Sequence, residues 1–486
     1  MTEEHLERRI GLVSATMIGI GGTIGSALFI MVGKAAGMAG PAVFVTFLVG
    51  AIINYFTAFN YSELAASLPM AGGGYTFTKA AIGKFPAFLT GWFMWFGNMF
   101  YATLCALGVA TGVKYFVPGV NEIVVAIIVE LIFMTMSIRG AGETGMVQNL
   151  MTVTMMGALV VYIILGFLHG TQPGTFENFT PYGWSKVFWT VGYVFVCFVG
   201  FEIISTVSGE IKNPGKTIPR AILISLTVCT IVYVLAAYIS VGIIRYDELA
   251  ASSTALSDVA KIFMGEGGGT LMAAAMIIAS LAALNAAMIA SARISFALSR
   301  DGYFPATISK IQERFKTPYM GVLLSSLLIV LFTSIGAADF AGYVADFGYI
   351  VGLSLVNFSV IWMRRRHPGI PRPYKVPLYP YTPIIGALSS FVVLPTLHIE
   401  AIAFGLLWVI LGLLVYYMIM LGPIRLKIAF GGMNIGLGAL SLTALLLIVG
   451  GVLPVIVSPA FQTTMMAALL IFGGLQIVAG ILNMRG

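Results

Sequence analysis

Fourteen apolar runs, most of them near the ~20 residues that carry an α-helix across a bilayer, dominate this chain. They fall at 10–32, 40–66, 87–113, 121–138, 147–168, 187–208, 219–244, 270–292, 318–336, 341–363, 383–398, 401–421, 428–450 and 460–483. Lipid offers a peptide group no hydrogen-bond partner, so runs of this length must satisfy their own backbones as helices. Only 9% of the 486 residues are charged, against about 25% in soluble domains. The start, MTEEHLERR, is polar and leads into a full-length span without a small-residue cleavage site. The first span is therefore expected to stay as an anchor.

Lys and Arg in alternate loops orient such a bundle, because cytoplasmic loops keep positive charge. With the N-terminus inside, 21 of the 26 basic residues fall on the cytoplasmic side, among them Arg8, Lys79, Arg300, Arg364, Arg425, Lys427 and Arg485. The five others are Lys34, Lys114, Lys186, Arg245 and Lys261. A multi-pass protein of the cell (cytoplasmic) membrane is expected, with both termini cytoplasmic. The net charge of +7 then follows from topology, and no nucleic-acid partner is needed. Cys105, Cys197 and Cys229 lie within apolar runs, where a thiol behaves as a small hydrophobe. His5, His169, His367 and His398 do not cluster, so neither a metal nor a cofactor is expected.

Residues 18–29 read IGIGGTIGSALF, which puts Gly19, Gly21, Gly22 and Gly25 midway through the first span. Two readings stand: Gly21 and Gly25 form a GxxxG contact face, or the span unwinds there. A dinucleotide-binding fingerprint is excluded, since Ile24 takes the third glycine position and no strand precedes it. The sixth span favours unwinding. It reads VFVCFVGFEIISTVSGEIKNPGKTIPRA over 194–221, with Gly200 in its middle and Glu202 two residues on. Interrupted hydrophobic segments at matching places in two halves point to a secondary transporter. The offset of five spans fits an inverted repeat of five plus five helices, about 10–168 and 187–363.

These segments, together with SELAASLPMAGGGYTF (62–77), ALNAAMIASARISFALSRDGYFP (283–305) and RRRHPGIPRPYKVPLYP (364–380), resemble permeases of the amino acid-polyamine-organocation (APC) superfamily. The resemblance runs through most of residues 8–421. It implies an all-α integral membrane protein: a five-plus-five inverted-repeat transporter core with discontinuous spans 1 and 6, and about 14 transmembrane helices in all. Residues 1–421 would form a twelve-helix transporter region and 422–486 two additional helices. The implied function is a permease moving a small-molecule amino acid through the lipid bilayer by alternating access; polyamine or another organic amine is the alternative. An ion channel should show a filter segment or charged ring, and an intramembrane enzyme a nucleophile with its base; neither pattern is present.

Each break exposes backbone donors on one side and carbonyls on the other, which suits a zwitterion. The substrate carboxylate is expected on the amides of Thr23, Ile24, Gly25 and Ser26, with the Ser26 hydroxyl as a further donor. The ammonium is expected on the carbonyls of Val196, Cys197 and Val199, with Phe198 and Phe201 as walls. The chain departs from the superfamily pattern at Ala27, usually glycine, at Cys197, commonly alanine, and at Val196, often aromatic. Losing that ring suggests a bulkier substrate or a different lid. Met155 stands where proton-coupled relatives carry a lysine. That leaves exchange, another acid such as Glu202, or sodium near Ser280 and Ala283; span 8 is poor in hydroxyls, which favours sodium-independent transport. Glu202 is read as either a gating or proton-handling acid or a local cap. Arg293 with Glu63 and Glu210 suits an inner gate network or interfacial anchoring. Asp346 suits an external gate or a solvated helix end, and Glu130 has no evident partner. PMAGGGY reads as a cytoplasmic turn, and the proline-rich 364–380 as a stiff connection.

Overall fold

A computed structural model describes residues 8–70, 72–140, 145–312, 314–315 and 317–420, with 434–439, 441–442, 445, 448, 466–467 and 469–478 beyond them. Between residues 10 and 420 each apolar run is mainly helical. Among the described residues, eight helices are long and apolar enough to cross a membrane, and shorter apolar helices accompany them. The expected spans 428–450 and 460–483 lie mostly outside the described residues, as do Arg425, Lys427 and Arg485.

The first span is two helices, α1 (Leu12–Ile24) and α2 (Ala27–Ala39), followed by α3 (Val43–Ser67) and the short α4 (Gly73–Ala81). Then come α5 (Lys84–Phe116), α6 (Glu122–Ile138) and α7 (Gly145–His169). The sixth span is fragmented into α8 (Gly183–Trp189), α9 (Val191–Val194), a 3-10 turn at Phe195–Phe198 and α10 (Ile203–Thr206). Long helices return with α11 (Pro214–Ile243), α12 (Tyr246–Ala250), α13 (Ala255–Arg300), α14 (Tyr319–Thr333), α15 (Ala338–Arg366), α16 (Tyr381–Val393) and α17 (Ile399–Met420).

Local chemistry sets several boundaries. The Asn121 side chain caps α6, accepting from the amides of Ile123 at 3.0 Å and Val124 at 3.3 Å, the usual role of asparagine at a helix start. Pro214 opens α11, where its missing N–H costs nothing. Two expectations change here. α13 outruns the expected 270–292 at both ends and consists of two helical segments that meet at a non-helical Gly265 (φ 67°, ψ −167°), where hydropathy dips through the GEGGG stretch. PMAGGGY is only partly a turn: Gly73 and Gly74 begin α4, and a Cβ on Gly74 would meet the Tyr61 hydroxyl at 2.6 Å.

The helix α5 is buried along its whole apolar window and packs on α13, α14, α15 and α6. It approaches α15 through bare backbone, since a Cβ on Gly348 would lie 2.8 Å from the Gly97 nitrogen and the Phe93 oxygen. Small residues at such crossings are what drive packing in lipid, where burial of apolar surface gives no net gain. α11 packs on α3 and on α1. Cα packing divides the chain into two compact units, Met1–Ile410 and Leu411–Gly486. Within the second, a Cβ on Gly438 would sit 2.7 Å from the Gly473 carbonyl, so two of its helical segments meet backbone to backbone.

Candidate functional site

The first span breaks at one residue pair. α1 ends at Ile24, Gly25 takes φ +42° and Ser26 begins α2. The positive φ favours glycine, and space demands it as well: a Cβ there would lie 2.6 Å from the Tyr101 hydroxyl and 3.0 Å from Ala283. In the sixth span the 3-10 turn ends at an extended Val199, Gly200 takes φ +124°, and helix resumes at Ile203. The two breaks lie directly on each other. A Cβ on Gly200 would come within 2.4 Å of the Gly22 carbonyl carbon and oxygen and 2.6 Å of the Thr23 nitrogen.

Backbone groups freed by the breaks are shared out among tyrosines. The Tyr101 hydroxyl of α5 donates to the Gly22 carbonyl at 2.8 Å, with the Thr23 carbonyl at 3.3 Å. The Tyr233 hydroxyl of α11 lies 2.9 Å from the Thr23 carbonyl and 2.8 Å from that of Cys197, so it bridges the first break to the sixth-span turn. Both tyrosines were missed in the sequence; their only signal was a phenol within an apolar run, which needs a partner when buried. At one end of the bundle the chain ahead of α1 also binds the exit of the sixth span. Ile10 donates to the Glu210 carbonyl at 3.0 Å and accepts from the Lys212 amide at 2.9 Å. Spans 1 and 6 are thereby tied at the breaks and at that end.

The expected site residues are all buried, but their duties differ from expectation. Thr23 and Ile24 close α1, so their amides point back into that helix. The first intrahelical bond of α2 runs from the Ile30 amide to the Ser26 carbonyl at 3.0 Å, which leaves the amides of Ala27, Leu28 and Phe29 without an intrahelical partner. These donors extend the expected set beyond Ser26 into the first turn of α2. The Ser26 hydroxyl donates to the Leu104 carbonyl at 3.2 Å. The Val196 carbonyl accepts from Val199 at 3.2 Å, and the Cys197 thiol meets the Met31 sulfur at 3.9 Å. Phe198 packs against Phe47 and Tyr233, Phe201 against Tyr61.

Glu202 folds onto its own segment, accepting from the Gly200 amide at 2.7 Å; this is the local-cap geometry. It lines, with Asn98, Tyr61 and Ser205, a cavity of about 10 Å³, room for about one water. Met155 is buried on the face of α7 that carries Gln148 and Thr152, whose side chains would contact a Cβ on Gly21 at 2.4 Å each. Position 155 is therefore a near neighbour of span 1. Glu130 has a partner after all, since its carboxylate accepts from Thr333 of α14.

Ionic contacts close the bundle at both ends. At the end where α5 begins, Glu63 is held bidentately by Arg364, at 2.7 and 2.5 Å, and by the Val376 amide at 2.6 Å. Arg372 stands 3.7 Å away. The expected network is thus corrected for Glu63, whose acceptors are committed to α15 and the proline-rich connection. Arg293 does reach Glu210, at 3.5 Å. Lys79 pairs with Asp301 at 2.7 Å, and Tyr75 donates to the same carboxylate. Burial alone would raise the Asp301 carboxyl, but hydrogen bonds from Lys79 and Tyr75 and the charges of Lys79 and Arg300 hold it below its ordinary value.

At the other end the acid is Asp339, not Asp346. Asp339 pairs with Lys34 of α2 and accepts from the Tyr193 hydroxyl at 2.7 Å. The Tyr193 and Tyr343 rings pack in a tilted arrangement with centroids 5.2 Å apart. These residues, with His398 and Glu400, line an open cavity of about 590 Å³. Asp346 lies two turns farther along α15 and is completely buried, so a solvated helix end does not describe it.

Over residues 10–422 the chain matches the family model described as amino acid permease. The branched-chain amino acid permease of Bacillus subtilis is 29% identical over 446 residues, covering 86% of this chain and 94% of that protein. The methylthioribose transporter of the same organism is 27% identical, covering 85% of this chain and 94% of that protein. Its serine/threonine exchanger is 28% identical over 436 residues, covering 86% and 98%.

Proposed function

The chain belongs to the amino acid permease family, and from that premise we propose that it is a secondary transporter moving amino acids across the cell membrane by alternating access. The observation that carries this reading is the contact of the two breaks, Gly200 against Gly22 and Thr23. It gathers at one buried place the amino end of α2 and the carbonyls of two other segments. An amino acid has the complementary charges. Its carboxylate sits on the amides of Gly25, Ser26 and the first turn of α2, where the helix end favours an anion. Its ammonium faces the carbonyls of Cys197 and Val199, with Phe198 and Phe201 bounding the side chain. The relatives support this class, being named for branched-chain amino acids and for serine and threonine.

Ionic clusters at both ends supply the gates. Charges that meet in one state and part in another bias such an equilibrium. The Lys34 and Asp339 pair closes one end, and Glu63 with Arg364 and Arg293 with Glu210 close the other, which the excess of Lys and Arg assigns to the cytoplasm together with both termini. Spans 1 and 6, joined through Ile10 and through Tyr233, move as one body within the five-plus-five core of about 10–168 and 187–363. Coupling is sodium-independent, and Met155 carries no proton.

The reading is tested by purifying the full chain and screening amino acids and amines for thermal stabilisation, since a ligand that binds the folded state raises its apparent stability. The hits are then followed as radiolabelled uptake into vesicles. Saturable, stereoselective uptake of an L-amino acid is expected. A current that tracks an ion gradient and ignores amino acids would overturn the proposal.

A further inference from the structure

Asp346 has no exposure and neither of its oxygens has a hydrogen-bond partner. A carboxylate in that position is costly in a membrane protein unless something of opposite charge comes to it. Its surroundings can be read from its helix. Residues 342, 346 and 349 share one face of α15. A Cβ on Gly342 would touch Met31 of α2 at 2.9 Å, and Met31 touches Cys197 of the sixth-span turn. Tyr349 packs edge-on against Tyr101 at 6.5 Å, the tyrosine whose hydroxyl holds the Gly22 carbonyl. Asp346 lies between these two contacts on α15. It therefore borders the region where the two breaks meet. Tyr343, one turn before it on α15, lines the open cavity.

Other polar atoms around the breaks are also buried and unpartnered: Glu202 Oε1, Asn98 Oδ1, Thr23 Oγ1 and the Tyr349 hydroxyl. Asn98 stands one turn before Tyr101 on α5. With the two Asp346 oxygens, the unmet side-chain set holds four oxygens that accept when the acids are ionised, two hydroxyls that both donate and accept, and beside Gly21 a single donor, Gln148 Nε2. A neutral side chain would leave these acceptors bare. An ammonium brings three donors and a positive charge, and it meets the shortage. Among these side-chain atoms acceptors outnumber donors, with the two Asp346 oxygens the largest single share.

We infer that the permease site has a second charged subsite, with Asp346 as its anion, and that the preferred substrate is a diamino acid whose side-chain ammonium is held there. This rests on the proposed amino-acid reading and names the substrate class within it. Asp346 then sets specificity. It takes no part in holding the α-carboxylate or α-ammonium.

The test uses the full-length protein in proteoliposomes, with L-lysine, L-ornithine and L-leucine as probes. In the wild type, lysine and ornithine should saturate uptake at lower concentrations than leucine. In Asp346→Asn the lysine-to-leucine preference should collapse by on the order of 100-fold, the usual scale for removing one partner of a buried charge pair. Asp346→Glu, which keeps the charge, should retain a preference for lysine. A wild type that prefers leucine, or an Asp346→Asn protein with an unaltered preference, overturns the inference. If Asp346→Asn does not fold, the wild-type preference decides alone. Uptake of leucine without lysine would defeat the inference and leave the amino-acid reading standing, whereas entry of neither would defeat both.

Discussion

Gly200→Leu is expected to abolish uptake, lowering it by more than about 100-fold, while full-length protein still inserts in the membrane. Two independent terms produce the loss. The residue holds φ +124°, a conformation that costs a branched side chain on the order of 1–3 kcal/mol. Its Cβ would also overlap the Gly22 carbonyl and the Thr23 nitrogen at 2.4 and 2.6 Å. Those neighbours are backbone, so no rotamer change relieves the clash, and the two breaks must separate. Because only the contact between breaks is lost, helices elsewhere keep their packing. The check is uptake per molecule of monodisperse protein. Gly200→Ala should already be severely impaired, and normal transport by either variant would mean that the breaks need not touch.

Glu63→Ala is expected to cost about 3–5 kcal/mol, the range for breaking a buried ion pair from one side. Glu63 is 3% exposed, against 20% for Arg364, and its loss strands a guanidinium held otherwise against the Tyr379 ring at 4.1 Å. The Val376 amide also loses its acceptor. Helix α3, the end of α15 and the proline-rich connection are tied by this one carboxylate. Its removal should lower the melting temperature and favour the conformation open at that end. Accessibility of a cysteine introduced beside Arg364 to a membrane-impermeant thiol reagent reads the second effect. An unaltered melting temperature would show that the pair is not a latch.

Both breaks were legible in the sequence because glycine is the residue that tolerates what a break requires. Gly25 and Gly200 stand where φ is positive and where a side chain would strike a neighbour. The family was legible for a related reason: motifs such as GEIKNPGKTIPRAI sit at the ends of broken or bent segments, where local backbone chemistry restricts the choice of residue. Partnerships between distant residues were not legible. Tyr233 meets Thr23 across 210 positions and Glu63 meets Arg364 across 301, and hydropathy says nothing about which polar groups face one another. Asp346 shows this most clearly. Its position near the end of an apolar run suited an external gate or a solvated helix end, yet the packing of α15 against α5 through Gly348 and Gly97 draws it inside and leaves Asp339 at the rim. That the open amides run on past Ser26 into the first turn of α2 was not legible, because the exact residue at which a broken helix restarts depends on its neighbours.

The central claim is that backbone groups of two broken spans hold both charges of an amino acid. It is tested most directly by measuring binding to the purified full-length protein with matched compounds: L-leucine against isoamylamine, which lacks the carboxylate, and L-lysine against cadaverine, its decarboxylated form. In each pair the amino acid should bind more tightly, by on the order of 100-fold, since the first-turn amides of α2 would otherwise face nothing charged. Amines that bind as tightly as their parent amino acids would contradict the account and make this chain a carrier of organic amines.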